Sequence, residues 1–373
     1  MRRRGFLLAA GATAMLPLGI AAEPIRQRQE ARPFRLGVTR WPPDVTTEAV
    51  AMTDAFIASN CDMVAPMMLG GVPWTEALSG AEFSTDANAA LAYRPPRGHK
   101  LFVSIGALDM GRARLASYWG EKDNMPLPGP FRDLPFDAPQ ISEAHTNFAL
   151  RVVAAMRPDW FAIGIEANIL LSNDPRAWPA YKALHRRVYE AVKARYPRLK
   201  VCFTIDALHY LGHARGSDTT LQRRELKELL AFSDLVAFSV YPHMSWSVPR
   251  PLPADFFDFA RELSTAAGGK PIAISESGYT SRDVWVGLIP LFGSPEDQAR
   301  HMTLLLEAAQ RDRYEFVVNY AATDFEKLSA RLSGEVGTLS RIWMHTGLQA
   351  SDATAKPALA VWRNALARPL GNA

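Results

Sequence analysis

Short apolar runs ending on polar residues recur along the chain, separated by stretches with helical spacing. The most telling is Trp160–Leu171, where Phe161-Ala-Ile-Gly-Ile165 ends on Glu166, with Asn168 just beyond. A run of that length, closed by polar residues and followed by a helical pattern, predicts a buried parallel strand. Similar runs occupy 34–41 (stopped by Pro42-Pro43), 61–68, 100–106, 200–205 (ending on Asp206), 235–240 (leading into Tyr241-Pro242-His243), 271–275 (ending on Ser275-Glu276) and 316–320 (followed by Asp324). Helical patterns predict helices at 46–59, within 69–98, and at 141–156, 177–196, 220–232, 254–266 and 295–311. In the 177–196 segment, Tyr181, Leu184, Val188, Val192 and Tyr196 fall on one face.

Eight strands alternating with helices point to parallel βαβ units. The connections narrow this further. Links from helix to strand are tight, as at Arg157-Pro-Asp159, Pro197-Arg198 and Gly268-Gly269. Links from strand to helix are long: 110–140, 207–219, 242–253, 277–294 and 321–340. One face therefore carries nearly all the irregular chain, which predicts a single-domain (β/α)8 TIM barrel with long βα loops over residues 34–368. A doubly wound open sheet is the runner-up, but its Gly-rich first turn is replaced here by Trp41-Pro-Pro43.

The N-terminus changes the reading of charge. Arg2-Arg3-Arg4, an apolar run to Ile20 and Ala21-Ala22 make residues 1–22 a signal peptide. Arg3-Arg4-Gly5-Phe6-Leu7 has the twin-arginine pattern, so the twin-arginine export machinery is an expected partner and the periplasm or exterior the expected location. The run is too short for a comfortable span, so no stable membrane anchor is expected. Residues 23–33 read as a polar lead-in.

The whole chain carries 42 basic and 38 acidic residues, a net charge of +4, and three of those charges are the leader's arginines. The remaining +1 gives no support to a nucleic-acid partner. Only Cys61 and Cys202 are present, both in predicted strands, so free buried thiols are expected rather than a disulfide framework; a single bridge is the alternative.

Two strand-terminal glutamates at one barrel mouth are the smallest constellation able to cut a glycosidic bond, one as acid/base and one as nucleophile. The fourth and seventh strands face each other across the mouth, so Glu166 and Glu276 are the candidate catalytic pair. Asn168 is placed to meet the hydroxyl beside the anomeric carbon, and Tyr241 to hydrogen-bond Glu276 and keep it ionised. Asp206, His209, His243 and Asp324 follow strands and are candidate hydroxyl-binding or proton-tuning residues. Trp41 and Trp246 are candidate stacking surfaces, and Trp119 and Trp285 also lie in loops. His209 and His213 have H-x-x-x-H spacing, but no third strand-end ligand accompanies them, so no metal or other cofactor is expected.

These residues resemble the clan A glycoside hydrolases, whose acid/base Glu ends the fourth strand and whose nucleophile Glu ends the seventh. Ile163-Gly-Ile-Glu166-Ala-Asn168, then Ser233 to Tyr241-Pro242, then Pro271-Ile-Ala-Ile-Ser-Glu276-Ser-Gly-Tyr279 are similar to the endo-β-1,4-galactanase-like group (family 53) and its relatives. Gly347 to Trp362 looks like the clan's closing Gly-Leu…Lys-Pro-Ala stretch, and the resemblance spans roughly 34–365. The chain departs from the pattern in placing Ile165 where the clan has Asn, in lacking an Arg around Val64-Ala-Pro-Met67, and in placing Tyr320 or a neighbour where the eighth strand carries Trp. The resemblance implies an exported retaining glycosidase acting on β-linked poly- or oligosaccharide. The alternative is a non-catalytic carbohydrate-binding TIM barrel.

Overall fold

The computed structural model describes residues 30–68 and 70–371; the expected signal peptide and most of the lead-in lie outside them. The strands are β1 (Arg35–Arg40), β2 (Met63–Pro66), β3 (Lys100–Ser104), β4 (Trp160–Ala162), β5 (Lys200–Cys202), β6 (Thr204–Asp206), β7 (Val236–Val240), β8 (Ile272–Ser277), β9 (Val284–Val286), β10 (Ile289–Leu291) and β11 (Phe316–Asn319). Nine of them form one parallel sheet in the order β5-β4-β3-β2-β1-β11-β8-β7-β6. The two ends of that list, β5 and β6, are separated only by Phe203. They are halves of one broken strand, so the sheet curls into the expected eight-position barrel.

Side chains fill the bore, as the strand period requires. Met63, Phe102, Trp160, Cys202, Ala237, Ala273, Phe316 and Val318 form an inner cluster. Phe316 sits at its centre, with ring centroids 5.0 Å from Phe102 and 4.9 Å from Trp160. Alternate residues such as Leu36, Val38, Val103, Phe161 and Phe238 point outward into the larger layer under the helices. This two-layer core is what a TIM barrel buries.

Local chemistry fixes the helix starts. Thr46 and Ser294 cap the helices Thr47–Asn60 and Pro295–Arg311, accepting from the backbone N–H groups of Ala49 and Asp297. Pro139 opens the helix Pro139–Met156, where its missing N–H is harmless.

Several connections carry more structure than expected. The 207–219 link holds a helix at Ala207–Leu211, and 277–294 holds the antiparallel β9–β10 hairpin. The 69–98 stretch contains two helices, Trp74–Ser79 and Thr85–Leu91, instead of one. Elements this short are built from local caps and turns, which leave little hydrophobic period to read.

The lead-in also ends earlier than position 33. Arg32 is buried, pairs bidentately with Asp62 at 2.6 and 2.8 Å, and stitches the chain start to Pro369. Cys61 and Cys202 are free, buried thiols, though Cys61 lies just before β2 rather than in it. Among the described residues no helix is long and apolar enough to cross a membrane.

Candidate active site

Parallel register sets the height of each group in the mouth. Asp206 of β6 pairs with Ser239 of β7, and Ser239 with Glu276 of β8, so three strand ends share one tier. Glu166 reaches this tier from β4 by a different route. Backbone bonds to the neighbouring strand run on from the Ile163 N–H to the Cys202 carbonyl (2.9 Å) and from the Thr204 N–H to the Gly164 carbonyl (2.8 Å). The chain then leaves the ladder, and the Glu166 N–H donates to the Thr204 hydroxyl at 2.7 Å.

Gly164 permits this departure: a Cβ there would lie 2.4 Å from the Tyr181 hydroxyl oxygen. Glu166 itself is held in the left-handed region at φ 48°. A non-glycine residue pays for that conformation on the order of 1 kcal/mol, and such strain persists where surrounding contacts dictate it.

Both glutamates are half-buried, and Glu276 feels the charge of Glu166. Burial is the largest influence on each and raises both. Arg112 opposes it at Glu166: its guanidinium donates to Oε2 at 3.0 Å. Ser239 also favours the ionised Glu166, while the charge of Asp206 disfavours it. Glu276 is pushed up to about 7 by burial and by Glu166, against the Tyr241 hydroxyl, which donates to its Oε1.

An aromatic wall surrounds Glu276. Tyr241 lies 6.0 Å from Trp343, Trp343 6.3 Å from Tyr320, and Tyr320 6.0 Å from Trp41, by ring centroids. The indole N–H groups of Trp41 and Trp343 are buried and meet no acceptor. Both are donors without protein partners at the mouth, suited to a hydroxyl-bearing ligand.

Tyr241 and Trp41 thus join the glutamates as the sequence suggested; other candidates do not. Asn168 is fully buried. Its amide donates to the Asp206 carbonyl and Gln222 Oε1, both at 3.0 Å, and its oxygen accepts from the Asp206 N–H at 2.7 Å. It ties β4 to β6 and leaves nothing for a sugar.

Asp206 caps the 207–211 helix and holds His209 Nδ1 at 2.7 Å, close enough to act on Glu166 through its charge. His243 is buried beside the Ile342 carbonyl, and burial lowers its pKa to about 4, so it is a neutral interior group. Trp119 is interior, whereas Trp246 and Trp285 are exposed outside the tier.

Asp324, like Asn168, turns into the protein rather than toward the mouth. It is fully buried and bound by Lys356 Nζ at 2.5 Å and the Gly347 N–H at 3.0 Å. With Glu326 and His345 it makes the sole carboxylate–histidine group of metal-binding spacing among the described residues, but the Lys356 ammonium already occupies its charge. Lys356→Met should strand that buried carboxylate and destabilise the fold by about 3–5 kcal/mol. Urea unfolding measures this, and an unchanged midpoint would contradict the assignment.

Arg112, Ser239, Tyr320 and Trp343 were missed from the sequence. Arg112 and Trp343 lie in long loops without period. Ser239 gives no chemical signal inside an apolar strand, and Tyr320 was noted only as a replaced Trp.

No protein-family model matches the sequence, and no curated protein matches it. Its fold is similar to that of solved clan A glycoside hydrolases. A subfamily 18 member of family 5 from Streptomyces cattleya, solved with GlcNAc, superposes at TM-score 0.62 with 16% identity, over 92% of this chain and 83% of that one. A family 10 endoxylanase from a sugarcane soil metagenome gives 0.58 and 13%, over 89% and 97%. An exo-β-1,4-mannosidase from Opitutaceae bacterium strain TAV5 gives 0.57 and 14%, over 89% of this chain but 59% of the mannosidase. At these identities the likeness is one of fold: the chain is a TIM barrel of the kind on which glycoside hydrolases are built.

Proposed function

We propose that this protein is an exported retaining glycoside hydrolase of β-linked poly- or oligosaccharides, with Glu166 as acid/base and Glu276 as nucleophile. One observation carries the reading: two half-buried glutamates stand at the C-terminal mouth of a barrel, Glu166 against the Arg112 guanidinium and Glu276 against the Tyr241 hydroxyl, with the charge of Glu166 acting on Glu276. In the double displacement, Glu276 attacks the anomeric carbon while Glu166 gives its proton to the leaving oxygen. Glu166 then takes a proton from the water that releases the sugar from Glu276. The Tyr241 O–H stabilises ionised Glu276 before attack.

The basic, apolar N-terminal segment supports export, with the twin-arginine machinery as route. The likeness of the 163–168, 233–242 and 271–279 segments to the endo-β-1,4-galactanase-like group keeps β-1,4-galactan in the substrate panel beside mannan and xylan. The test is hydrolysis of aryl β-glycosides and these polysaccharides by the protein lacking residues 1–22. No turnover of any of them would contradict the reading.

The active form carries one proton on the pair. Burial and the charge of Glu166 let Glu276 keep a proton up to about 7. Above that the pair has no proton left to place on Glu166 as the acid, so turnover should fall as pH rises past neutrality. Arg112 lowers the pKa of both glutamates. Arg112→Gln should therefore let the pair keep its proton longer and move the alkaline limb of the kcat/KM profile to higher pH. A limb that stays put or moves to lower pH would contradict this electrostatic role.

A binding-only barrel is the second reading, favoured by Ile165 in the place of the clan's Asn and by an Asn168 that faces inward. Glu166→Gln and Glu276→Gln proteins separate the two: both readings keep sugar binding, and only the first has turnover to lose.

A further inference from the structure

The ladder around Glu276 does not run in step. On one side Phe238 pairs with Ile274, but the next residue, Ser239, pairs with Glu276. On the other side Val317 pairs with Ile274 and Asn319 with Ser277. Between Ile274 and Ser277, β8 therefore holds one residue more than either neighbour, which is a β-bulge.

The bulge decides where Glu276 points. Ile272 and Ile274 pack in the outer layer under the helices, and Ala273 lies in the bore. Strict alternation would send Glu276 the way of Ile272 and Ile274, because side chains repeat every second residue along a strand. One extra residue exchanges the two faces, and Glu276 meets the Tyr241 hydroxyl instead.

Two hydroxyls and a histidine hold this distortion. Ser275 Oγ donates to the Phe238 carbonyl at 2.9 Å, and Ser277 Oγ to the Val240 carbonyl at 3.0 Å. Ser277 and Val240 are the chain neighbours of Glu276 and Tyr241, so their bond braces both ends of the Tyr241–Glu276 contact. Behind Ser277, His301 of the helix Pro295–Arg311 brings Nε2 within 2.9 Å of the same hydroxyl oxygen. The serine hydrogen is committed to Val240, so Nε2 carries the imidazole proton and donates.

His301 is buried and rests against Phe257 and Tyr279, with ring centroids at 5.6 and 5.7 Å. Burial, with a smaller push from His243, lowers its pKa to about 3 and keeps the ring neutral.

We propose that Ser277 and His301 are positioning residues that hold the β8 bulge and so aim the Glu276 carboxylate at the mouth. That this aim serves attack on a sugar rests on the glycosidase reading; the clamp itself does not.

The test compares His301→Leu, which removes the donor and keeps an apolar side chain, with His301→Gln, whose amide keeps a donor for the Ser277 oxygen. Ser277→Ala breaks the same contact by a smaller change, and it decides the matter if the Leu variant does not fold. Carbon-13 NMR follows the Glu276 carboxyl through its titration, a reading that needs no substrate. The Tyr241 O–H favours the ionised form, so a misaimed carboxylate should titrate at higher pH in His301→Leu and Ser277→Ala. His301→Gln should return it most of the way. The other groups that act on Glu276 or feel its charge, Glu166, Arg112 and Tyr320, are untouched. In turnover of aryl β-glycosides, kcat should fall by about 10- to 100-fold with KM little changed, the cost of misplacing a reacting group by up to about 1 Å.

An unmoved titration overturns the proposal, whatever happens to the unfolding midpoint. So does a Gln variant that behaves like Leu, or an unmoved kcat in an active enzyme. If the parent turns over no glycoside, the glycosidase reading falls and the titration alone decides the clamp. Turnover by the parent with an unmoved titration in the variants keeps the glycosidase and sinks the clamp.

Discussion

Glu276→Ala is expected to lower turnover of β-glycosides by about 10⁴-fold, or about 5 kcal/mol of barrier, with the fold intact. The side chain is half-buried at the end of β8 and, among the described residues, forms no salt bridge, so its removal leaves no strong partner there uncompensated. Only the Tyr241 hydroxyl loses its acceptor, and water can replace it in a half-open site. The chemical consequence is larger, because no other carboxylate on the Asp206–Ser239–Glu276 tier is free to attack. Asp206 is engaged with His209 and the 207–211 helix. Added azide should restore part of the turnover and give a glycosyl azide of inverted configuration, since it enters the space the carboxylate vacates. Retained activity, or an azide product with the substrate's configuration, would contradict the assignment.

The second large effect belongs to Glu166. Glu166→Ala should reduce turnover by about 10²–10⁴-fold, the range of a positioned general acid. The loss should also depend on the leaving group. Substrates with acidic phenols need no proton to depart and should lose least in the glycosylation step, while sugars and alkyl glycosides should lose most. Azide should again rescue, now with retained configuration, because Glu276 still forms the intermediate. A uniform loss across leaving groups would make Glu166 a positioning residue instead. Its contact with Arg112 makes that comparison necessary: the ion pair stabilises the charged form, opposite to what an acid requires.

What could be read from the sequence follows how each feature is encoded. The barrel was legible because buried parallel strands are continuous apolar runs, and because the long links fall on one face. The break at Phe203 was not, since 200–205 reads as one run and the split depends on which neighbour each half pairs with. Glu166, Glu276 and Tyr241 were legible as polar groups ending apolar strands.

The same rule misplaced Asn168 and Asp324. A polar residue after a strand can turn back into the structure as easily as toward the mouth. Asn168 does so to bridge β4 and β6, and Asp324 to anchor the chain end through Lys356. Arg112 was illegible for a different reason. It lies in a loop with no period, at φ 52°, and only three-dimensional closure brings it within 3.0 Å of a residue 54 positions away. Trp343 likewise enters the aromatic wall from a connection, by contacts with Tyr241 and Tyr320.

The central claim is that Glu276 carries the sugar during turnover, and trapping that intermediate tests it most directly. The protein without residues 1–22 is incubated with 2-deoxy-2-fluoro β-glycosides bearing good leaving groups, matched to whichever sugar it hydrolyses, and its peptides are mapped by mass. The account predicts one glycosyl unit per chain, attached to Glu276 in the 271–279 peptide and absent from Glu276→Gln. A label on another residue, or turnover with inversion and no trapped species, would contradict it.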